Sequence, residues 1–175
     1  MRNKYTESEQ KKILNSIIIL VDTREKKFSH IKLYLKHNKI PFEITKLNFG
    51  DYSFKIPANK KLGINEDIDF RNEIAVERKA NAEEVSGNLT NDRDRIKREF
   101  SRGKSKIRFL IEDTSYGDIS DHNYNTDMNP DSLLGSLHSI QEEYNNHFFF
   151  CDKEHSGKYI YKTFYYFLRN KLKNI

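Results

Sequence analysis

The sequence predicts a single compact α/β domain, and three observations carry that reading. Short apolar runs at residues 17–21, 107–111 and 147–151 fit strands buried within a sheet. Between them lie segments whose apolar residues recur at helical spacing, as at Leu133, Leu137, Ile140 and Tyr144. The 175 residues can enclose one substantial core: only 36% are hydrophobic, but 12 Phe and 10 Tyr supply large side chains.

Taken in order, residues 1–14 read as a polar N-terminal segment and residues 15–175 as the domain. The run 17–21 is the first strand. Ser29 caps a helix with Ile31, Tyr34 and Leu35 on one face, and residues 38–41, ending in Pro41, stop it. Residues 42–47 alternate imperfectly as a strand, Phe49-Gly50 turns, and residues 52–56 return. The Pro-, Gly-, Asn- and Asp-containing residues 57–70 read as a loop, with Lys55, Lys60 and Lys61 as further basic groups, and residues 73–79 complete a three-strand meander. A helix is expected from Asn91 or Asp92, with Ile96 and Phe100 inward and Arg93, Arg95, Lys97 and Arg98 partly outward. Strand 107–111 ends in Glu112-Asp113, and residues 118–130 form an Asn/Asp-rich loop. Pro130 and Asp131 open the next helix, and residues 147–151 form the last strand. A final helix after Gly157 places Ile160, Phe164, Phe167, Leu168 and Leu172 on one face, with Tyr159, Tyr161, Tyr165 and Tyr166 widening the aromatic band.

Three acidic clusters fall at strand ends. They are Asp22 with Glu25, Asp51 after Gly50, and Glu77 in Glu77-Arg78-Lys79. Ligand sites of open α/β sheets gather at such ends. Cleavage of a phosphodiester builds negative charge on oxygen, so it needs hard cations and further positive charge nearby. Carboxylates suit Mg²⁺. Lys79 follows Glu77 by two residues and shares its strand face, whereas Arg78 points the other way. Lys79 could place a water or balance charge beside the cation, and Arg24 could hold a phosphate oxygen. The plainer alternatives are a charged strand end at 77–79 and a solvated turn in which Asp22 is a cap.

The groups Val21-Asp22-Thr-Arg24-Glu25, Gly50-Asp51-Tyr52 and Val76-Glu77-Arg78-Lys79 together resemble the ERCC4 (XPF/MUS81-like) nuclease-domain family. Its motif is Gly-Asp, a variable gap, Glu-Arg-Lys, three residues and Asp. This chain has Glu83 at the last position, which keeps the charge and adds a methylene. The resemblance implies a restriction-endonuclease-like PD-(D/E)XK fold, a central mixed sheet flanked by helices. It implies Mg²⁺ or Mn²⁺ held by Asp22, Asp51, Glu77 and the carbonyl of Arg78, with Lys79 as the catalytic lysine. Glu25 and Arg24 would form the edge of the site, and Glu83 would support it. It further implies cutting of branched DNA at flaps, forks or junctions, and a homodimer formed through late helices, for which the aromatic C-terminal helix is the candidate. The same helix could instead be spent on the monomer core. A stand-alone domain resembles bacteriophage and bacterial versions, without room for a tandem helix-hairpin-helix module.

The net charge of +5 and pI near 9.1 are compatible with a polyanionic partner. Arg24, Lys26, Lys27 and Arg78, with Arg93, Arg95 and Lys97, form the expected DNA track. No Gly-rich phosphate loop precedes a Gly-Lys-Ser/Thr, so no ATP is expected, and no membrane span is visible. One cysteine and six scattered His do not compose a disulfide framework or a zinc site. These features suit an intracellular setting, such as the cytoplasm of a bacterial or phage-infected cell. The alternatives to a structure-specific nuclease are a non-catalytic DNA-binding or scaffold subunit and a nuclease for simple duplex or single-stranded DNA.

Overall fold

The computed structural model describes residues 4–91, 106–144 and 146–174. Its elements, in order, are α1 (Glu7–Leu14), β1 (Ile18–Asp22), α2 (Ser29–His37), β2 (Phe42–Thr45), β3 (Tyr52–Ile56), a 3₁₀ turn (Lys60–Leu62), β4 (Ile68–Asp69), β5 (Ile74–Lys79), α3 (Ala82–Asn91), β6 (Lys106–Glu112), α4 (Tyr116–Ser120), α5 (Pro130–Tyr144), β7 (His147–Cys151), a second 3₁₀ turn (Lys153–His155) and α6 (Ser156–Lys173). They fall into two compact units, Met1–Arg71 with Gly157–Ile175, and Asn72–Ser156.

In the first unit, β1 lies between β2 and β3. This explains why Ile19, Leu20 and Val21 are fully buried and why the run is apolar throughout. β3 runs antiparallel to β1, with Val21 opposite Tyr52. β2 runs parallel to β1, with Ile19 opposite Phe42. The expected meander from β2 to β3 is therefore wrong: α2 carries the chain back across, and β2 pairs outside β1 rather than with β3. Lys39, at φ 54°, reverses the chain after α2, and Ile40 donates to the Leu35 carbonyl.

Two segments read as irregular are ordered. The polar N-terminus contains α1, opened by a reciprocal Thr6–Glu9 capping box and buried through Tyr5, Ile13 and Leu14. The 57–70 loop contains β4, antiparallel to β3, and ends on the fully buried Phe70. Phe70 stacks on Phe54 at 4.4 Å, and Phe164 of α6 stacks on Phe54 at 5.2 Å. Ile160, Phe164, Leu168 and Leu172 are all buried, so the apolar stripe of α6 belongs to the core of its own unit. Tyr161, Tyr165 and Tyr166 form a chain of ring contacts beside it, with Lys162 over Tyr165 and Arg169 over Tyr166. This aromatic cluster could mediate contacts; of its rings Tyr166 is the most exposed.

In the second unit, β5, β6 and β7 form a parallel sheet with β6 in the middle, and Leu110 and Ile111 are fully buried. β7 was expected to be buried, but it is only half covered and Phe149 is exposed. Its pairing among the described residues is with β6, where Phe148 stacks on Phe109 at 4.8 Å. Past Asn91, the helix expected from Asn91 or Asp92 lies outside the described residues, and α3 occupies a segment to which the sequence reading assigns no element. Asn81 caps it by accepting from the Glu84 N–H, and the Glu84 carboxylate accepts from Ala80 N–H at 2.8 Å. Ser115 and Asp118 form a capping box for the short α4 inside what read as loop.

Close approach of α6 to α2 requires Gly157, because a Cβ there would lie 2.7 Å from Tyr34 Cβ. Alanine is otherwise the better helix former by about 1 kcal/mol. We therefore expect Gly157→Ala to lower stability by about 1–3 kcal/mol through overpacking, against its helix propensity. Urea unfolding measures it; an unchanged or raised midpoint would contradict the close contact.

Candidate active site

In the first unit the site residues gather where β1 ends. Asp22 is its last residue and is fully buried, not part of a solvated turn. Its Oδ1 accepts from the Arg24 N–H at 2.8 Å and from Arg24 Nε at 2.6 Å, and its Oδ2 accepts from Leu47 N–H at 2.6 Å. A carboxylate offers about four lone-pair positions, so three are taken and at most one remains for a cation. Burial pushes the Asp22 carboxyl up, but the hydrogen bonds from Arg24 and Leu47 outweigh it and hold the group below its ordinary value. Asp22 also fixes its neighbour through the backbone: its N–H donates to the Asp51 carbonyl at 2.8 Å. Gly50, at φ 68°, supplies the left-handed residue that turns the chain into Asp51.

Arg24 is anchored by Nε, while 63% of its side chain is exposed, which presents the guanidinium to solvent. Glu25 is half-buried and its Oε1 accepts from the Lys27 N–H at 3.0 Å; the Lys26 and Lys27 side chains are exposed. Lys55 instead pairs with Glu43 and Asp67, at 3.0 and 3.1 Å.

In the second unit the alternation of β5 sorts the Glu-Arg-Lys triplet. Lys79 Nζ donates to Glu77 Oε1 at 2.7 Å on one face. Among the described residues Glu77 Oε2 accepts no hydrogen bond, leaving that oxygen for a cation. Arg78 projects from the other face into a buried pair with Glu112 at 2.8 Å. The expected phosphate contact of the Arg78 side chain does not suit this geometry: 7% of it is exposed and its charge is already matched. Glu112, at the end of β6, is committed to the same pair.

The Lys79 stem borders a cavity of about 20 Å³ with Val85, Leu89, Phe109, Leu137, Ile140 and Phe148. In such surroundings an ammonium must be met by acceptors. Asn88 Oδ1 accepts from it at 3.2 Å, and Glu84 Oε1 lies 3.9 Å away. Glu83, expected to support the site, turns elsewhere and its Oε1 accepts from Asn125 N–H. Glu84 and Asn88 are the residues that sequence reasoning missed. Asn81 and Glu84 carry the spacing of an N-cap signature, but nothing local marks Asn88.

Arg93, Arg95 and Lys97 lie outside the described residues. After β7, Asp152, Glu154 and His155 bring one ligand atom each within 4.8 Å of one another. All three are exposed, and this acidic and imidazole cluster could coordinate a divalent metal. The free Cys151 is half-buried, and burial pushes its thiol up, away from nucleophilic character. Among the described residues no helix is long and apolar enough to cross a membrane.

A mixed α/β fold with a central sheet flanked by helices, and carboxylates and a lysine at strand ends, defines a nuclease-like class. The ERCC4 domain model matches residues 21–163, and the chain belongs to that family. XPF from Aeropyrum pernix has a similar fold, with TM-score 0.58 at 16% identity over 84% of this chain and 59% of that one. XPF from Aeropyrum pernix in complex with DNA gives 0.60 at 17% identity, over 88% of this chain and 66% of that one. The chain thus spans less than two thirds of those proteins' solved chains and shares their fold. No curated protein sequence matches it.

Because Asp22 has a depressed value when folded, its contribution to stability is complete above the ordinary carboxylate value of 3.8 and is lost as pH falls through the lower folded value. Asp22→Asn places an amide donor against a backbone N–H. We expect it to cost about 1–3 kcal/mol at neutral pH, with the difference from wild type shrinking below about pH 4. Urea unfolding across pH is the check; equal neutral stability would refute the hydrogen-bonded anchor.

Proposed function

We propose that the chain is a Mg²⁺- or Mn²⁺-dependent DNA endonuclease acting at flaps, forks or junctions. One observation carries this: Glu77 gives one oxygen to the buried Lys79 and, among the described residues, accepts no hydrogen bond on the other, pairing a cation ligand with a fixed positive charge. Family membership supports the nuclease class, and the similar Aeropyrum pernix fold in a DNA complex supports the polymer.

The motif nominates oxygen donors alone: in the first unit the Asp51 carboxylate and the remaining lone pair of Asp22, and in the second the Glu77 carboxylate and the carbonyl of Arg78. Such donors suit a hard divalent ion, whose bound form would polarise the phosphate and favour a nucleophilic water. The residues of the chain do the rest. The Lys79 ammonium stabilises charge growing on the phosphate oxygens, and the solvent-facing guanidinium of Arg24 takes a neighbouring phosphate. Lys26 and Lys27 add backbone affinity. In the hydrolysis the water oxygen bonds to phosphorus, one ester P–O bond breaks, and the proton released from water balances the departing alkoxide.

The test is a labelled panel of flap, fork, four-way junction, duplex and single strand, with and without divalent metal. Cutting should require the ion and favour the branched members. Asp51→Ala and Glu77→Ala should abolish it, Lys79→Ala should slow it on the order of 100-fold, and Arg24→Ala should weaken DNA binding with the metal site intact. Folded variants that all cut at the wild-type rate would refute the site. Binding of branched DNA with no cutting under Mg²⁺ or Mn²⁺ would replace the enzyme with a non-catalytic DNA-binding subunit.

A further inference from the structure

Glu77 does not hold the Lys79 ammonium alone. Asn88 Oδ1 accepts from Nζ at 3.2 Å, and Asn88 Nδ2 donates to the Glu84 carbonyl one turn back in α3 at 2.8 Å. The second bond orients the first. If the amide were reversed, its NH₂ would face an ammonium and its oxygen a carbonyl, two repulsive contacts. Glu84 is itself tied down, with Oε2 accepting from Ala80 N–H and its own N–H donating to the capping Asn81. The amide oxygen is thus delivered by a capped helix beginning three residues after Lys79.

We propose that Asn88 is a positioning residue for Lys79, resting on the reading of Lys79 as the ammonium beside the reacting phosphate. The neutral acceptor draws one N–H of Nζ toward α3, so that the ammonium does not close over both oxygens of Glu77. It does so without adding charge. A third carboxylate around Nζ would compete with phosphate for the ammonium, and an apolar side chain would remove the neutral acceptor on the α3 side. Asn88 touches neither substrate nor cation in this scheme and acts through the lysine.

Two measurements on the full chain test it. The first needs no catalysis: the Nζ–H₃ correlation of Lys79, assigned with Lys79→Arg, is recorded by ¹⁵N NMR at low temperature. We expect a hydrogen-bonded signal in wild type, loss or a large shift in Asn88→Leu, and retention in Asn88→Asp, which keeps an acceptor. The second is a double-mutant cycle on cleavage of branched DNA. Asn88→Leu should lower kcat roughly tenfold with KM unchanged, the loss of about one charge-assisted hydrogen bond, and should cost nothing further in a Lys79→Ala background. An equal loss in both backgrounds, or an unmoved Lys79 signal in folded Asn88→Leu, would overturn the proposal. Should Asn88→Leu not fold, loss of the signal in Asn88→Asp would overturn it instead. A wild-type protein that cuts nothing defeats the nuclease reading, and the NMR arm still decides the role of Asn88.

Discussion

Arg78 and Glu112 meet at 2.8 Å with 7% and 0% of their side chains exposed, and the register of β5 against β6 is tied to that meeting. Arg78 lies opposite Leu110, so Glu112, two residues on, shares its face. A slip of one residue would move one charge to the opposite face and leave a buried ion without its partner, at a cost of several kcal/mol. The same alternation puts Glu77 and Lys79 on the face opposite Arg78. The arginine of the triplet thus sets the strand, and the two residues that flank it are left for chemistry.

A comparable division governs the other unit. Asp22 spends three lone pairs on Arg24 and Leu47, which fixes the end of β1, exposes the Arg24 guanidinium and, through its N–H, holds Asp51. Burial alone would push its carboxyl up, but the donors that replace water hold it in the charged form and below its ordinary value. In each unit, then, one charged residue of a motif is buried as an organiser while its neighbours face the site.

What the sequence disclosed follows the reach of its signals. The alternation across Glu77-Arg78-Lys79 is a local property and could be read directly, as could β1, α5 and the apolar face of α6. Strand direction is not local. Nothing in residues 42–47 distinguishes a strand that pairs parallel to β1 from one that turns back into β3, and the expected meander failed there. The starts of α1 and α3 were written in Thr6-x-x-Glu9 and Asn81-x-x-Glu84, but polar composition masked the first. In the second, Glu83 occupies the motif position of the supporting acid, whereas Glu84 is the residue near Lys79. Asn88 could not be found at all, because its role exists only once α3 has folded against Lys79.

The central claim is that the strand-end carboxylates of the motif, and not the exposed Asp152, Glu154 and His155 cluster, hold the catalytic cation. Both are rich in oxygen ligands. Among the described residues, a lysine–carboxylate hydrogen bond is found at the first, between Lys79 and Glu77. Anomalous diffraction at the manganese edge, from crystals grown with Mn²⁺, separates them most directly. The account predicts a peak within bonding distance of Glu77 Oε2 that disappears in Glu77→Ala. A peak confined to Asp152, Glu154 and His155, unaffected by that substitution, would contradict it.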